Sequence, residues 1–228
     1  MQTLQTPPAA PELKIEFYGD SITTGLGIEA SDTDSDMNRV FQNNYMAYSA
    51  ITARNLGAEI HCIAQQGIGI FTGWVYPMNM TNIWNRVAPF TNTATAFWAF
   101  SNWTPNVVVI NLFQNDSMNP KALNPFPTDA QIVQYYVNFI SGIRAVYPKA
   151  HIVCALGSMD ATAEGSPWPG YIHQAVVQMA DGNISECYFP YIGGTHHPRV
   201  ADHIVMADQL TAHIRSVLYP HGFIFQIK

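Results

Sequence analysis

The sequence predicts one α/β domain built on a parallel sheet, and three observations predict it. Short apolar runs of strand character alternate with longer segments of helical period, the pattern that buries a parallel sheet between helices. With 228 residues and 48% hydrophobic content, the chain can fill one well-packed core but not two large ones. The third apolar run contains Val107-Val108-Val109-Ile110 without a polar break, as a central strand covered on both faces requires.

The expected strands are 14–18, 58–63, 106–113, 151–156 and 183–189, with helices filling the gaps. Between 128 and 147 the residues Ile132, Tyr136, Phe139, Ile140 and Ile143 recur at helical spacing and Pro148 marks the stop. A closing helix is expected after His197, with Pro198 in its first turn and Val200, Ile204, Ala207, Thr211, Ile214 and Leu218 along one face. The segment from Trp74 to Trp103 is rich in Asn, Thr and aromatic residues and reads as an irregular rim or lid. Residues 1–12 include the run QTPPAAP and read as a linker, leaving 13–228 as the single domain. That start predicts that an export signal or an upstream module has been removed, hence a secreted protein.

Charge and cysteine usage narrow the partners. Charged residues are only 11%, so neutral polar side chains carry much of the surface, which suits ligands such as sugars. A net charge of −6 and the lack of a Lys/Arg cluster exclude a nucleic-acid partner. No 18-residue apolar span exists, which argues against a membrane partner. Cys62, Cys154 and Cys187 lie singly in apolar runs and read as buried thiols rather than disulfides or metal ligands.

Chemistry enters at the strand ends, where ligands of open α/β sheets bind. Gly19-Asp20-Ser21 follows the first strand. Ser21 is either a nucleophile or a plain helix cap there. Gln66-Gly67-Ile68-Gly69 follows the second strand, where a glycine aims a backbone N–H at developing negative charge or simply makes a tight turn. Gln114-Asn115-Asp116 follows the third, where an amide side chain is an oxyanion donor or the start of an Asx turn. His196-His197-Pro198 precedes the closing helix and offers two imidazoles, either of which can relay the proton of Ser21. Asp20 and Asp116 sit one residue from the working groups and read as acids that fix turns.

In their order, GDSIT, QGIG, QND and HHP resemble the four blocks of the SGNH, or GDSL-type, hydrolases. The stretches KIEFYGDSITTGLG, FISGIRAVYPKAHIVCALGSM and HHPRVADHIVMADQL are similar to the acetylesterases of carbohydrate esterase family 2. The resemblance implies a flavodoxin-like three-layer α/β/α sandwich with a five-stranded parallel sheet. It also implies Ser21 as nucleophile, His197 as base, Gly67 and Asn115 as oxyanion donors, and no metal or cofactor. The implied substrate is a short-chain ester, an acetylated carbohydrate above all, with Trp74, His196 and Gln114 as candidate substrate-binding residues.

The chain departs from the resembled pattern in three places. Gly194 stands where the superfamily has an Asp three residues before its histidine, and Thr195 supplies no carboxylate either. Members of the resembled esterase family can dispense with that acid, so the resemblance implies a Ser21–His197 dyad whose histidine is oriented by a backbone carbonyl. Asp160 and Asp202 remain outside candidates for the acid. Gln66 replaces a serine, and Phe113-Gln114 replaces a small Gly-Thr pair, which reshapes the pocket. Two alternatives share these residues: a lipase or thioesterase with a longer acyl group, and a carbohydrate-binding module on an esterase scaffold.

Overall fold

Every expected strand forms, each within a residue or two of its expected bounds. In a computed structural model, which describes residues 9–88, 95–194 and 196–220, the strands are β1 (Lys14–Gly19), β2 (Glu59–Ala64), β3 (Val107–Asn111), β4 (His151–Leu156) and β5 (Ile184–Tyr188). Residues 1–8, most of the expected linker, lie outside the described residues, as do 89–94 of the expected rim. The sheet is parallel throughout, with strand order β2-β1-β3-β4-β5. All five residues of β3 are buried, in keeping with its unbroken apolar run.

The helices are α1 (Ser21–Thr24), α2 (Tyr48–Leu56), α3 (Met80–Ile83), α4 (Gln114–Met118), α5 (Asp129–Val146), α6 (Trp168–Met179) and α7 (Val200–Leu218). On one face of the sheet Tyr18, Val108, Ile110 and Ile152 pack with Ile132, Tyr136 and Phe139 of α5 and Ile172 of α6. On the other, Phe17, Val107, Val109 and Val153 meet Tyr48 of α2 and Met206, Leu210 and Ile214 of α7. Helix α5 begins where its sequence dictates: Thr128 and Gln131 form a reciprocal capping box, and the predicted stripe is buried. No helix among the described residues is long and apolar enough to cross a membrane.

Three expectations need correction. Helix α7 starts at Val200, not at Pro198, because the Asp202 carboxylate accepts the Arg199 N–H at 2.8 Å and makes Arg199 the cap. Its buried stripe is His203, Met206, Ala207, Leu210, Thr211 and Ile214, while Ile204 is exposed. The polar ring of His203 hides this stripe in the sequence, yet its Nδ1 accepts the Tyr48 N–H at 3.0 Å and sits fully buried. Finally, Cys154 and Cys187 are buried free thiols, but Cys62 is exposed because β2 is an edge strand.

The sequence of strands reverses direction across the sheet between β1 and β3, the position where doubly wound folds leave a crevice. Gly19 at the end of β1 lies level with Ala64 of β2 and Asn111 of β3, so the loops leaving all three strands converge there.

Candidate active site

Ser21 is not a helix cap. Asp20 is the cap, its Oδ1 accepting the Ile22 N–H at 2.9 Å, and Ser21 opens the one-turn helix α1 directly beyond β1. Its hydroxyl is therefore presented at the sheet edge, where His197 Nε2 lies 2.9 Å from Ser21 Oγ. The neighbouring His196 is excluded from this contact: its Nδ1 is 2.9 Å from the His197 carbonyl oxygen, and its ring lies over Gly194, whose left-handed φ of +71° turns the chain. It does not line the cavity, which corrects its expected place there.

A carboxylate reaches His197 from elsewhere in the chain. Asp36, in the loop between α1 and α2, places Oδ2 3.2 Å from His197 Nδ1 and accepts the His197 backbone N–H at 2.6 Å. Arg199 holds the other oxygen of Asp36, and its Nη1 also donates to the Gly27 carbonyl. Gly27, at φ +64°, leaves room that a Cβ would take, since that atom would come within 2.8 Å of Asp36 Cβ. A carboxylate, not a backbone carbonyl, thus faces the distal nitrogen of the imidazole, which corrects the dyad expectation. Asp160 instead accepts from the Tyr191 hydroxyl at 3.3 Å and Asp202 caps α7, so neither is the acid.

Electrostatics follow from these contacts. Burial pushes His197 below its ordinary value of 6.5 and the Asp36 hydrogen bond and charge oppose that, so the imidazole is neutral at neutral pH. Burial raises the carboxyl of Asp36, but hydrogen bonds from the His197 amide, Arg199 and His197 outweigh it and hold the group below the usual carboxylate range. With Asp36 ionised, His197 Nδ1 carries the proton, which leaves Nε2 to accept from Ser21.

Gly67 and Asn115 come to the same place. The two residues line a cavity of about 560 Å³ together with Ser21, His197, Gln66 and Gln114, and Leu26, Met37, Met118 and Met159 form its apolar walls. Trp74 stands 62% exposed at its edge, and its backbone N–H donates to the Gly67 carbonyl at 2.8 Å. Gly67 takes a φ of +75°, and a Cβ there would meet Trp74 Cβ at 3.1 Å, so both conformation and space require glycine.

Helix α4 is aimed by a strained residue. Phe113, fully buried, has a φ of +89°, where a bulky side chain costs about 1–3 kcal/mol, and its ring is held between Phe71, Tyr136 and Trp168. This is the position where the resembled family has glycine. The kink presents Gln114 and Asn115 to the cavity and Asp116 to the Gly67–Gly73 turn behind it. Asp116 accepts the N–H groups of Ile70, Phe71 and Thr72 at 2.9–3.0 Å, and Asn115 Nδ2 donates to the Ile68 carbonyl at 2.9 Å and to Asp20 Oδ2 at 3.1 Å. Burial raises Asp116 to about 6 and Asp20 to about 7 against these hydrogen bonds. Both are turn-fixing acids, as their spacing implied.

A parallel sheet of this order, with a serine and a histidine in contact at the crevice, has the flavodoxin-like architecture that the SGNH resemblance implies. The chain matches no family profile. It is 34% identical over 227 residues to a cellulase/esterase, CelE, of Acetivibrio thermocellus, covering 94% of this chain and 27% of that protein. An acetylxylan esterase/glucomannan deacetylase of Cellvibrio japonicus is 24% identical over 217 residues, covering 92% of this chain and 59% of that one. The chain thus spans about a quarter to three fifths of the curated relatives it matches. Among solved structures, a family two carbohydrate esterase from Clostridium thermocellum in complex with cellohexaose superposes with a TM-score of 0.83 at 33% identity, covering 95% of this chain and 67% of that chain. The protein belongs to carbohydrate esterase family 2.

Proposed function

We propose that this protein removes acetyl groups from carbohydrate esters, with Ser21 as nucleophile. The observation that carries the reading is the chain of contacts Ser21 Oγ to His197 Nε2 at 2.9 Å and His197 Nδ1 to Asp36 Oδ2 at 3.2 Å, set in a cavity with Gly67 and Asn115. The acetyl group and the sugar alcohol are supported by the names of the relatives.

His197 takes the proton of Ser21 as the oxygen attacks the ester carbonyl, and the imidazolium that forms faces the Asp36 carboxylate. The N–H groups of Ser21, Gly67 and Asn115 bind the tetrahedral oxyanion, each donor worth about 2.7–4 kcal/mol of transition-state stabilisation. Asn115 gives one of its two amide hydrogens to this task by exchanging the Asp20 contact, while the Ile68 carbonyl retains the other. His197 then passes its proton to the leaving sugar oxygen, and water repeats the cycle on the acetyl-enzyme. Trp74 offers an exposed ring face on which a sugar can stack.

A longer acyl group is the second reading, favoured by the apolar walls of Leu26, Met37, Met118 and Met159. Hydrolysis of p-nitrophenyl acetate, butyrate and octanoate tests both. The acetate is expected to turn over fastest, and Ser21→Ala to abolish all three rates. Fastest cleavage of the octanoate points to the second reading, and equal slow rates in both proteins overturn the esterase.

A further inference from the structure

One polar group in the catalytic cavity is left over by this mechanism. Gln114 lines the cavity yet is 2% exposed, and its amide is half used: Oε1 accepts the Ala161 N–H at 3.2 Å, while Nε2 has no partner among the described residues. The Ala161 bond fixes which end of the amide is the donor. Its cavity neighbours Met118 and Met159 offer only thioethers. A buried donor without an acceptor is unfavourable in the free protein and becomes favourable when a bound molecule supplies one.

The acceptor must come from the substrate, and the proposed chemistry says from which part. In an acetyl ester the carbonyl oxygen is taken by the Ser21, Gly67 and Asn115 donors, and the bridging oxygen turns toward His197 to collect its proton. The acetyl methyl accepts nothing. The oxygens that remain belong to the alcohol: a hydroxyl or ring oxygen close to the ester.

We infer that Gln114 is a specificity residue, whose Nε2 donates to an oxygen of the alcohol half of the ester and so selects polyhydroxylated alcohols over apolar ones. The inference rests on the esterase reading of the site. It also accounts for a glutamine at a position where the resembled family has a small residue: the longer side chain ties α4 to Ala161 and brings an N–H donor that no described residue takes.

The test compares two acetates, a pool of mono-O-acetylated methyl glucosides and phenyl acetate, whose alcohol has no acceptor beyond the ester itself. Gln114→Met is expected to lower kcat/KM for the sugar acetates about 10–100-fold more than for phenyl acetate. Gln114→Glu, which keeps an acceptor for the Ala161 N–H, is expected to change the ratio of the two kcat/KM values in the same direction at pH 8. An equal fall on both substrates in both variants would put the donor at the ester group and overturn the inference, as would no fall on either. Failure of the unsubstituted protein to cleave either acetate would instead sink the esterase reading, and this inference with it.

Discussion

Beneath the catalytic cavity and beside it, the same side chain behaves in opposite ways. Asp20 and Asp116 lie under Ser21 and Asn115, essentially without exposure, and burial raises them to about 7 and about 6. Asp36 lies beside His197, partly exposed, and its hydrogen bonds with His197 and Arg199 hold it below the usual range. The floor acids answer to backbone and side-chain N–H groups, so their work is shape. The acid at the side takes the His197 backbone N–H too, but adds an imidazole and a guanidinium, so its work is charge. Distance from Ser21 in sequence, one residue for Asp20 and fifteen for Asp36, says nothing about which is which.

The sharpest break of this contrast is Asp36→Asn. An amide facing Nδ1 either loses the hydrogen bond or forces the wrong tautomer, so kcat on p-nitrophenyl acetate should fall by roughly 10²–10⁴ with little change in KM. An unchanged kcat would return His197 to a dyad. Next in size, Asn115→Ala should lower kcat by about 10²–10³, with KM again nearly constant. A rise in KM at constant kcat would mean that Asn115 binds substrate and not the oxyanion.

Four residues of the proposed site are legible in the sequence and one is not. Ser21, Gly67, Asn115 and His197 each follow a strand or precede a helix, so periodicity located them and block order joined them. Asp36 was not legible: it lies in an irregular loop among Asp32, Asp34 and other polar residues, and only the fold brings that loop to His197. The signal that could have found it is Arg199, a charged residue two positions after the histidine that needs a carboxylate partner. The central strands are readable because β1, β3 and β4 are buried almost throughout, whereas the stripe of α7 is misplaced because buried His203 interrupts it.

Smaller effects separate the two kinds of acid by pH. Because burial holds His197 below its ordinary 6.5 and it works as the neutral base, kcat/KM should fall on the acid side with a midpoint below 6.5. A limb centred above 6.5 would contradict the neutral, buried imidazole. For Asp20 the folded pKa of about 7 exceeds the ordinary 3.8, so the native state binds its proton first and gains stability as pH falls from about 7 toward 3.8. Asp20→Asn removes that gain, so urea unfolding should show wild type improving relative to the variant between pH 8 and pH 5. A constant difference would mean that Asp20 is not strained by burial. Asp36, held low, contributes stability that is present at these pH values and is lost only as pH falls below the ordinary 3.8.

In the proposed mechanism Ser21 is a nucleophile activated by His197. Treatment with an aryl methylphosphonate, followed by peptide mass spectrometry, tests it directly. A stoichiometric phosphonyl adduct on the peptide that carries Ser21, formed in wild type and at least 10²-fold more slowly in His197→Ala, is the predicted result. An adduct on another serine, or equal labelling rates in the two proteins, would contradict it.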